Sequence, residues 1–228
     1  MTNHVHVTFT PNGAASAPVG IVVDVLRATS TISQALSAGY RRVLCCSEIE
    51  DARRLREETD ASLVGGERGG VRIEGFDVGA SPREFLEPRA DTLILSTTNG
   101  TQTILTAASR CDEVVLGSLL NLSAVARYSR ELDRDTAIFC AGFKGAFALD
   151  DAYCAGRIVA LLGAERSDAA IAAELVADSF PDAHQGLLAR TYGPPGLEED
   201  MLFCSRESVL PVVPRLSRMT GPAAEIVL

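Results

Sequence analysis

The feature that most restricts the fold is a repeated switch in hydrophobic period. Between Val19 and Gly142, short apolar runs ("VGIVVDV", "RRVLCC", "SLVGG", "TLILSTT", "EVVLGS", "TAIFCAG") alternate with longer amphipathic ones ("ATSTISQALSAG", "SEIEDARRLREE", "NGTQTILTAASR", "LNLSAVARYSRELD"). Runs that are apolar at every position, with no polar alternation, read as strands covered on both faces, as in a parallel sheet. Amphipathic runs between them read as crossover helices, so the pattern is that of a doubly wound sheet. Upstream, "HVHVTFT" alternates as a strand and "PNGAASAP" is a turn-rich loop. Gly39 marks a helix stop, and Ser47 with Glu50 has the spacing of a capping box. From Asp150 the texture turns helical ("DDAYCAGRIVALLGA", "SDAAIAAELVADSF", "DAHQGLLARTYG", "GLEEDMLFCSRES"), with a last strand expected at "VLPVV". The expectation is an α/β protein: a layered α/β/α sheet, largely parallel or mixed, with a helical C-terminal portion from about residue 150. No Gly- or Ser-rich linker interrupts it, so residues 1–228 are expected to form a single domain.

Composition removes several function classes. With 46% hydrophobic residues the chain can build a real core, and 5% aromatic residues without Trp suits layered helices and strands. A net charge of -9 argues against binding to a phosphate backbone, so no nucleic-acid partner is expected. The six cysteines show no C-x-x-C pairing and sit in apolar segments, which suits buried thiols in a reducing, cytoplasmic compartment. No signal peptide and no membrane segment are expected. The sequence leaves a homodimer open.

In open α/β sheets ligands bind beyond the carboxyl ends of the strands, where helix N-termini face anions. Four such places carry chemistry. Asp24 ends a strand and Arg27 follows it; the pair either caps and decorates a helix or forms a site for metal and phosphate. "GGERGG" (Gly65 to Gly70) frames Glu67 and Arg68 with glycines, offering a metal ligand and an anion clamp on a loop. "STTNGTQ" sets Thr97, Thr98, Asn99 and Gly100 before a helix, as a plain Asn-Gly turn or an anion site. "CAGFKGAFALDD" brings Lys144, the sole lysine, and then Asp150 and Asp151 at a helix start, as caps or as a hard-cation site. Acids, arginines and hydroxyls, with no dinucleotide fingerprint and no P-loop, are what magnesium-assisted phosphoryl chemistry on a small anionic substrate needs.

Taken in order, "VVDVLRATSTI", "GGERGGVRIEGFDVGASP", "LSTTNGTQ", "LGSLLNLSAVA", "CAGFKGAFALDD" and "EEDMLFC" with "VLPVVP" resemble the 2-phosphosulfolactate phosphatases. The resemblance runs from about Val19 to Pro214. It implies a magnesium-dependent acid phosphatase that hydrolyses (R)-2-phospho-3-sulfolactate to 3-sulfolactate, a step towards coenzyme M in methanogens, on an α/β fold of its own. The resemblance implies Asp24, Arg27, Glu67, Arg68 and Asp151 as catalytic positions. Asp24, Glu67, Asp150 and Asp151 are assigned to Mg2+, directly or through water, and Arg27 and Arg68 to phosphate and sulfonate. Thr97, Thr98, Asn99, Gly100 and Lys144 are assigned to the small phosphorylated substrate. The chain departs from the family in Ala80 (usually Asn), in Asp150-Asp151 (usually Glu-Asp) and in lacking an acid shortly before the last "VP". The family also occurs in bacteria without coenzyme M, so another phosphorylated hydroxy acid is an alternative substrate.

Two other readings compete. A cysteine hydrolase of the isochorismatase type would use Asp24, Lys144 and Cys140 or Cys154, but leaves "GGERGG" and "TTNGT" without a role. A non-enzymatic small-anion-binding protein would need no metal. A haloacid-dehalogenase nucleophile is disfavoured because Leu26, not an acid, stands two residues after Asp24.

Overall fold

The computed structural model describes residues 3–193 and 195–228. Its strands are β1 (His4–Thr8), β2 (Val19–Val23), β3 (Arg42–Cys46), β4 (Ser62–Arg68), β5 (Val71–Arg72), β6 (Thr92–Ser96), β7 (Glu113–Gly117), β8 (Thr136–Cys140), β9 (Glu165–Arg166), β10 (Arg215–Thr220) and β11 (Ala223–Val227). The helices are α1 (Ala28–Ala38), α2 (Ile49–Glu58), α3 (Gly100–Ala108), α4 (Leu122–Leu132), α5 (Leu149–Leu162), α6 (Asp168–Asp178), α7 (Ala183–Leu188) and α8 (Glu198–Cys204). The α/β alternation is thus as the periodicity implies. β2, β6 and β8 are buried at every position, which is why their sequences carry no polar alternation.

The strands form a mixed sheet in the order β5-β4-β6-β3-β11-β10-β7-β2-β8-β1-β9. Most neighbours are parallel, with a short antiparallel turn at β4–β5 and an antiparallel hairpin, β10–β11, in the middle. That hairpin corrects the expectation for the C-terminus. "VLPVV" is not a strand; it runs as irregular chain beside α4, with Leu210 N–H donating to Leu120 O at 2.8 Å. The chain then re-enters the sheet, β11 lying antiparallel to β3 and β10 meeting β7 at Arg215 and Val115. "AAEIV" tolerates the centre of a sheet because its one acid, Glu225, is buried with partners: Thr220 Oγ1 donates to it at 3.0 Å and Arg218 Nη2 at 3.2 Å.

Three apolar clusters fill the layers. One joins β1, β2, β7 and β8 to α4–α8; a second lies between the other face of the sheet and α1 and α3; a third packs α2 on β3, β4 and β6. α1 ends at Gly39 with φ 115°, as the stop signal implies. The capping box at Ser47 does not form: Glu48 is the N-cap of α2, with no side-chain cap bond, and the Ser47 hydroxyl is buried without a partner among the described residues.

The central hairpin also governs which strand ends can meet. In a flat sheet the ends of β6 and β2, five spacings apart, would be separated by about 24 Å. Yet Gly100, which opens α3 after β6, packs on Asp24 and Ala28 at the end of β2. The sheet therefore coils around α1 and α3, and strand ends from its two halves meet.

Candidate active site

The meeting point is a cleft lined by Asp24, Arg27, Glu67, Thr97, Asn99 and, from the chain after α7, Arg190 and Tyr192. Its floor follows from strand geometry. Asp24 leaves β2 with Oδ1 accepting Ala28 N–H at 3.2 Å and its carbonyl accepting Thr29 N–H at 3.0 Å, so it satisfies the first N–H groups of α1 from upstream, while Arg27 is the N-cap residue and makes no side-chain cap bond. Capping uses one carboxylate oxygen. Oδ2 has no protein donor among the described residues and faces the open start of α3, where a Cβ on Gly100 would stand 2.7 Å from it. The cap and site readings are thus compatible.

Charge crowds here. Burial, followed by Glu67 and Asp150, raises the Asp24 carboxyl to about 7, against the opposing pull of Ala28 N–H and Arg27. Asp150 is also raised by burial, although Tyr192 donates its hydroxyl to Oδ1 and Arg190 favours its charge. Asp151 is pushed well above the carboxylate range by burial, then by Asp150 and Asp24. Its oxygens accept Val25 N–H and Gly142 N–H, each at 2.9 Å, which pins the end of β2 to the loop after β8. Asp151 therefore braces the floor from behind.

β4 corrects the picture of "GGERGG" as a loop: the strand runs through Arg68, and only Gly69 and Gly70 turn. Successive strand residues face opposite ways. Glu67 faces the cleft, held by Thr98 N–H at 2.8 Å and by Gly70 N–H. Arg68 faces the α2 side, where it donates to Ser47 O, and to Ser96 Oγ at 3.0 Å, and lines a separate surface groove with Ile49 and Arg53. The structure does not bring Arg68 into the cleft. Thr97 is buried, its hydroxyl accepting Thr101 N–H at 3.3 Å; Thr98 is exposed at the rim. Lys144 is exposed in the turn between Phe143 and Ala146, with Nζ 5.4 Å from the Phe143 ring, and does not line the cleft.

Arg27 points across the cleft and is held by partners distant in sequence. Nη1 donates to Asp200 Oδ2 at 2.7 Å and Nη2 to Gly70 O at 3.1 Å; Asp200 also takes the Ser81 hydroxyl at 2.6 Å. The two side chains are only 10% and 7% exposed. Removing one member of such a buried pair strands the other charge, a loss of roughly 3–5 kcal/mol. Asp200→Ala is thus expected to lower the melting temperature by roughly 8–15 °C in a thermal scan, and a shift under 2 °C would refute the buried pairing. Arg190 and Tyr192 had no signal in the sequence beyond their type, since they reach the cleft only through the packing of α7 and α8.

A cation of magnesium's kind takes one or two carboxylates and completes its shell with substrate oxygens and water. Among the described residues no three acid, His or Cys side chains gather into a metal-binding group. Asp24 and Glu67, facing one cleft, nevertheless match the two-carboxylate donor set. Burial, and then the charges of Glu67 and Asp150, raise Asp24, and such a cation would offset both. The cysteine-hydrolase reading finds no support in the geometry: Cys140 and Cys154 are fully buried, and burial pushes both thiols well up, the opposite of an activated thiolate. A cavity of about 450 Å³ lies elsewhere, between Arg130, Arg134 and Leu162. No described helix is long and apolar enough to cross a membrane.

The model of the 2-phosphosulpholactate phosphatase family matches residues 6–219. A protein of Carboxydothermus hydrogenoformans named "Probable 2-phosphosulfolactate phosphatase" is 37% identical over 203 residues, 85% of this chain and 84% of that one. One of Caldanaerobacter subterraneus with the same name is 38% identical over 209 residues, 86% of each chain. Another, of Thermotoga petrophila, is 37% identical over 220 residues, 93% of this chain and 95% of its own. A match over nearly the whole chain, with relatives at this identity, means that the chain belongs to the 2-phosphosulfolactate phosphatase family, a family of phosphoric monoester hydrolases.

Proposed function

We propose that this protein is a magnesium-dependent phosphatase that hydrolyses 2-phospho-3-sulfolactate to 3-sulfolactate and phosphate. The observation that carries the reading is the cleft itself: a buried carboxylate with a free oxygen, Asp24, beside Glu67, Arg27 and two helix N-termini. This is a site for a phosphoryl group, which carries spread negative charge and needs cationic and N–H donors. When bound, Mg2+ would neutralise charge on the phosphoryl oxygens. Asp24 and Glu67 would hold it, directly or through water.

The chain's own groups do the rest. Arg27, its guanidinium fixed by Asp200 and Gly70 O, presents its remaining N–H donors to the substrate. The positive ends of α1 and α3 converge on the same point and favour an anion there. Asn99 supplies an amide at the start of α3, and its side chain makes no cap bond. Buried Asp24 Oδ2, close to the phosphorus in this reading, acts either as nucleophile or as the acceptor of a water proton. Ala80, 1% exposed, puts a methyl on the cleft wall where the family usually has Asn, removing a polar contact to substrate.

The test is phosphate release from 2-phosphosulfolactate, assayed with added Mg2+ and after EDTA. The expected result is turnover with Mg2+, a drop of at least about 100-fold on chelation, and recovery on re-addition. No release from this compound, or release indifferent to chelation, would sink the proposal.

A further inference from the structure

The two arginines of the cleft are in opposite circumstances. Arg27 has acceptors for both terminal nitrogens. Arg190, half-buried in the same cleft, has no carboxylate or carbonyl acceptor among the described residues. Its neighbours are the Tyr192 ring, 5.8 Å from the guanidinium carbon, and the charge of Asp150. Side chains pack beneath it. The Tyr192 hydroxyl donates to Asp150 and its ring stacks on Phe143 at 4.8 Å and 27°. Gly193, at φ +94°, turns the backbone so closely round Arg190 that a Cβ there would stand 2.6 Å from Nη1. A planar cation with unused donors, backed by an aromatic stack and a glycine turn, is built to receive a multi-oxygen anion.

We propose that Arg190 is a specificity-determining residue: it binds the sulfonate of the substrate, while Arg27 and the helix N-termini hold the phosphoryl group at Asp24. The proposal rests on the phosphatase reading for its substrate. The physical match is good. A sulfonate is a weakly basic anion with three oxygens, better suited to a weakly hydrated guanidinium fork than to an ammonium. The sole lysine, Lys144, is exposed outside the cleft. The rival role is neutralisation of Asp150, which already accepts the Tyr192 hydroxyl and Asp151 N–H.

Calorimetric titration of the intact protein with 3-sulfolactate and with lactate, at fixed Mg2+ and ionic strength, separates the two roles. Wild type is expected to bind 3-sulfolactate roughly 10- to 100-fold more tightly than lactate, the range for charge-assisted hydrogen bonds. Arg190→Ala should erase that preference and leave lactate binding unchanged. Arg190→Lys, which keeps the charge near Asp150 but loses the fork, should lose most of it. Arg190→Gln replaces the alanine variant if that one does not fold. No preference in wild type, a preference that survives in Arg190→Ala, or equal loss for both ligands would overturn the proposal. Wild-type turnover of 2-phosphosulfolactate, measured in parallel, bears on the phosphatase reading alone. Discrimination without turnover keeps Arg190 and sinks that reading; turnover without discrimination does the reverse.

Discussion

Asp24→Asn is expected to lower turnover by at least about 1000-fold and yet to make the metal-free protein more stable above pH 7. The geometry tolerates the change, because asparagine Oδ1 can still accept Ala28 N–H and cap α1. The charge is what goes. The Asp24 carboxyl stands at about 7 in the folded protein, against 3.8 for the free residue, chiefly through burial and then through Glu67 and Asp150. A raised carboxyl means that the folded state holds the proton more tightly than the unfolded state does. Its contribution to stability is therefore fully present below pH 4 and is lost as pH rises through about 7. By pH 8 the wild type carries a penalty on the order of 2–4 kcal/mol that the variant lacks. Because Asp24 titrates with Asp150 and Asp151 as a cluster, the loss spreads over a broad pH range. Thermal scans in EDTA at pH 5 and pH 8 check this. The variant should gain about 5–15 °C on the wild type between the two, and Mg2+ should stabilise the wild type more than the variant at pH 8. Parallel pH profiles for the two proteins would overturn the account.

The second large effect is expected from Gly100→Ala. At the first position of a helix, alanine in place of glycine ordinarily stabilises by up to about 1 kcal/mol. Here the new methyl would stand 2.4 Å from Ala28 Cβ and 2.7 Å from Asp24 Oδ2. Ala28 is 3% exposed and belongs to the first turn of α1, so it has little room to retreat. Overpacking of this kind costs typically 1–3 kcal/mol, which outweighs the propensity gain. The relief available is to part the starts of α1 and α3, moving Asp24 against Glu67 and Asn99. A misplacement near 1 Å can cost about 100-fold in rate. Steady-state assays with a thermal scan should show a drop of that order in kcat and a melting temperature lower by a few degrees. A variant that melts higher and turns over normally would mean that the close approach of α1 and α3 has no functional weight.

Much of this protein was readable from local pattern. Strand-length apolar runs, amphipathic intervals and the Gly39 stop depend on interactions within a few residues, and the structure keeps them as β2, α1, β3 and their successors. Asp24, Glu67, Thr97 and Asn99 stood out because they follow buried strands, and the fold brings these four together. Elsewhere the local pattern misled. Ser47 and Glu50 have capping-box spacing, but the Ser47 hydroxyl is buried and its carbonyl is turned to Arg68. Glu67 and Arg68 look equivalent between glycines, yet an extended backbone through Arg68 sends them to opposite faces of the sheet.

The sequence alone determined most of the strands and helices before the C-terminal hairpin, and which chemically active side chains stand near strand ends, since periodicity and turn residues act over short distances. Tertiary structure decided the rest. The hairpin of Arg215–Thr220 and Ala223–Val227 enters the middle of the sheet, between two strands that local reading gives no reason to part. Only the coiling of that sheet brings Gly100 onto Asp24, and only the packing of α7 and α8 delivers Arg190, Tyr192 and Asp200. Those contacts join residues up to 173 positions apart, as Arg27 and Asp200 are, and such pairings depend on the global arrangement of layers rather than on any run of neighbouring residues.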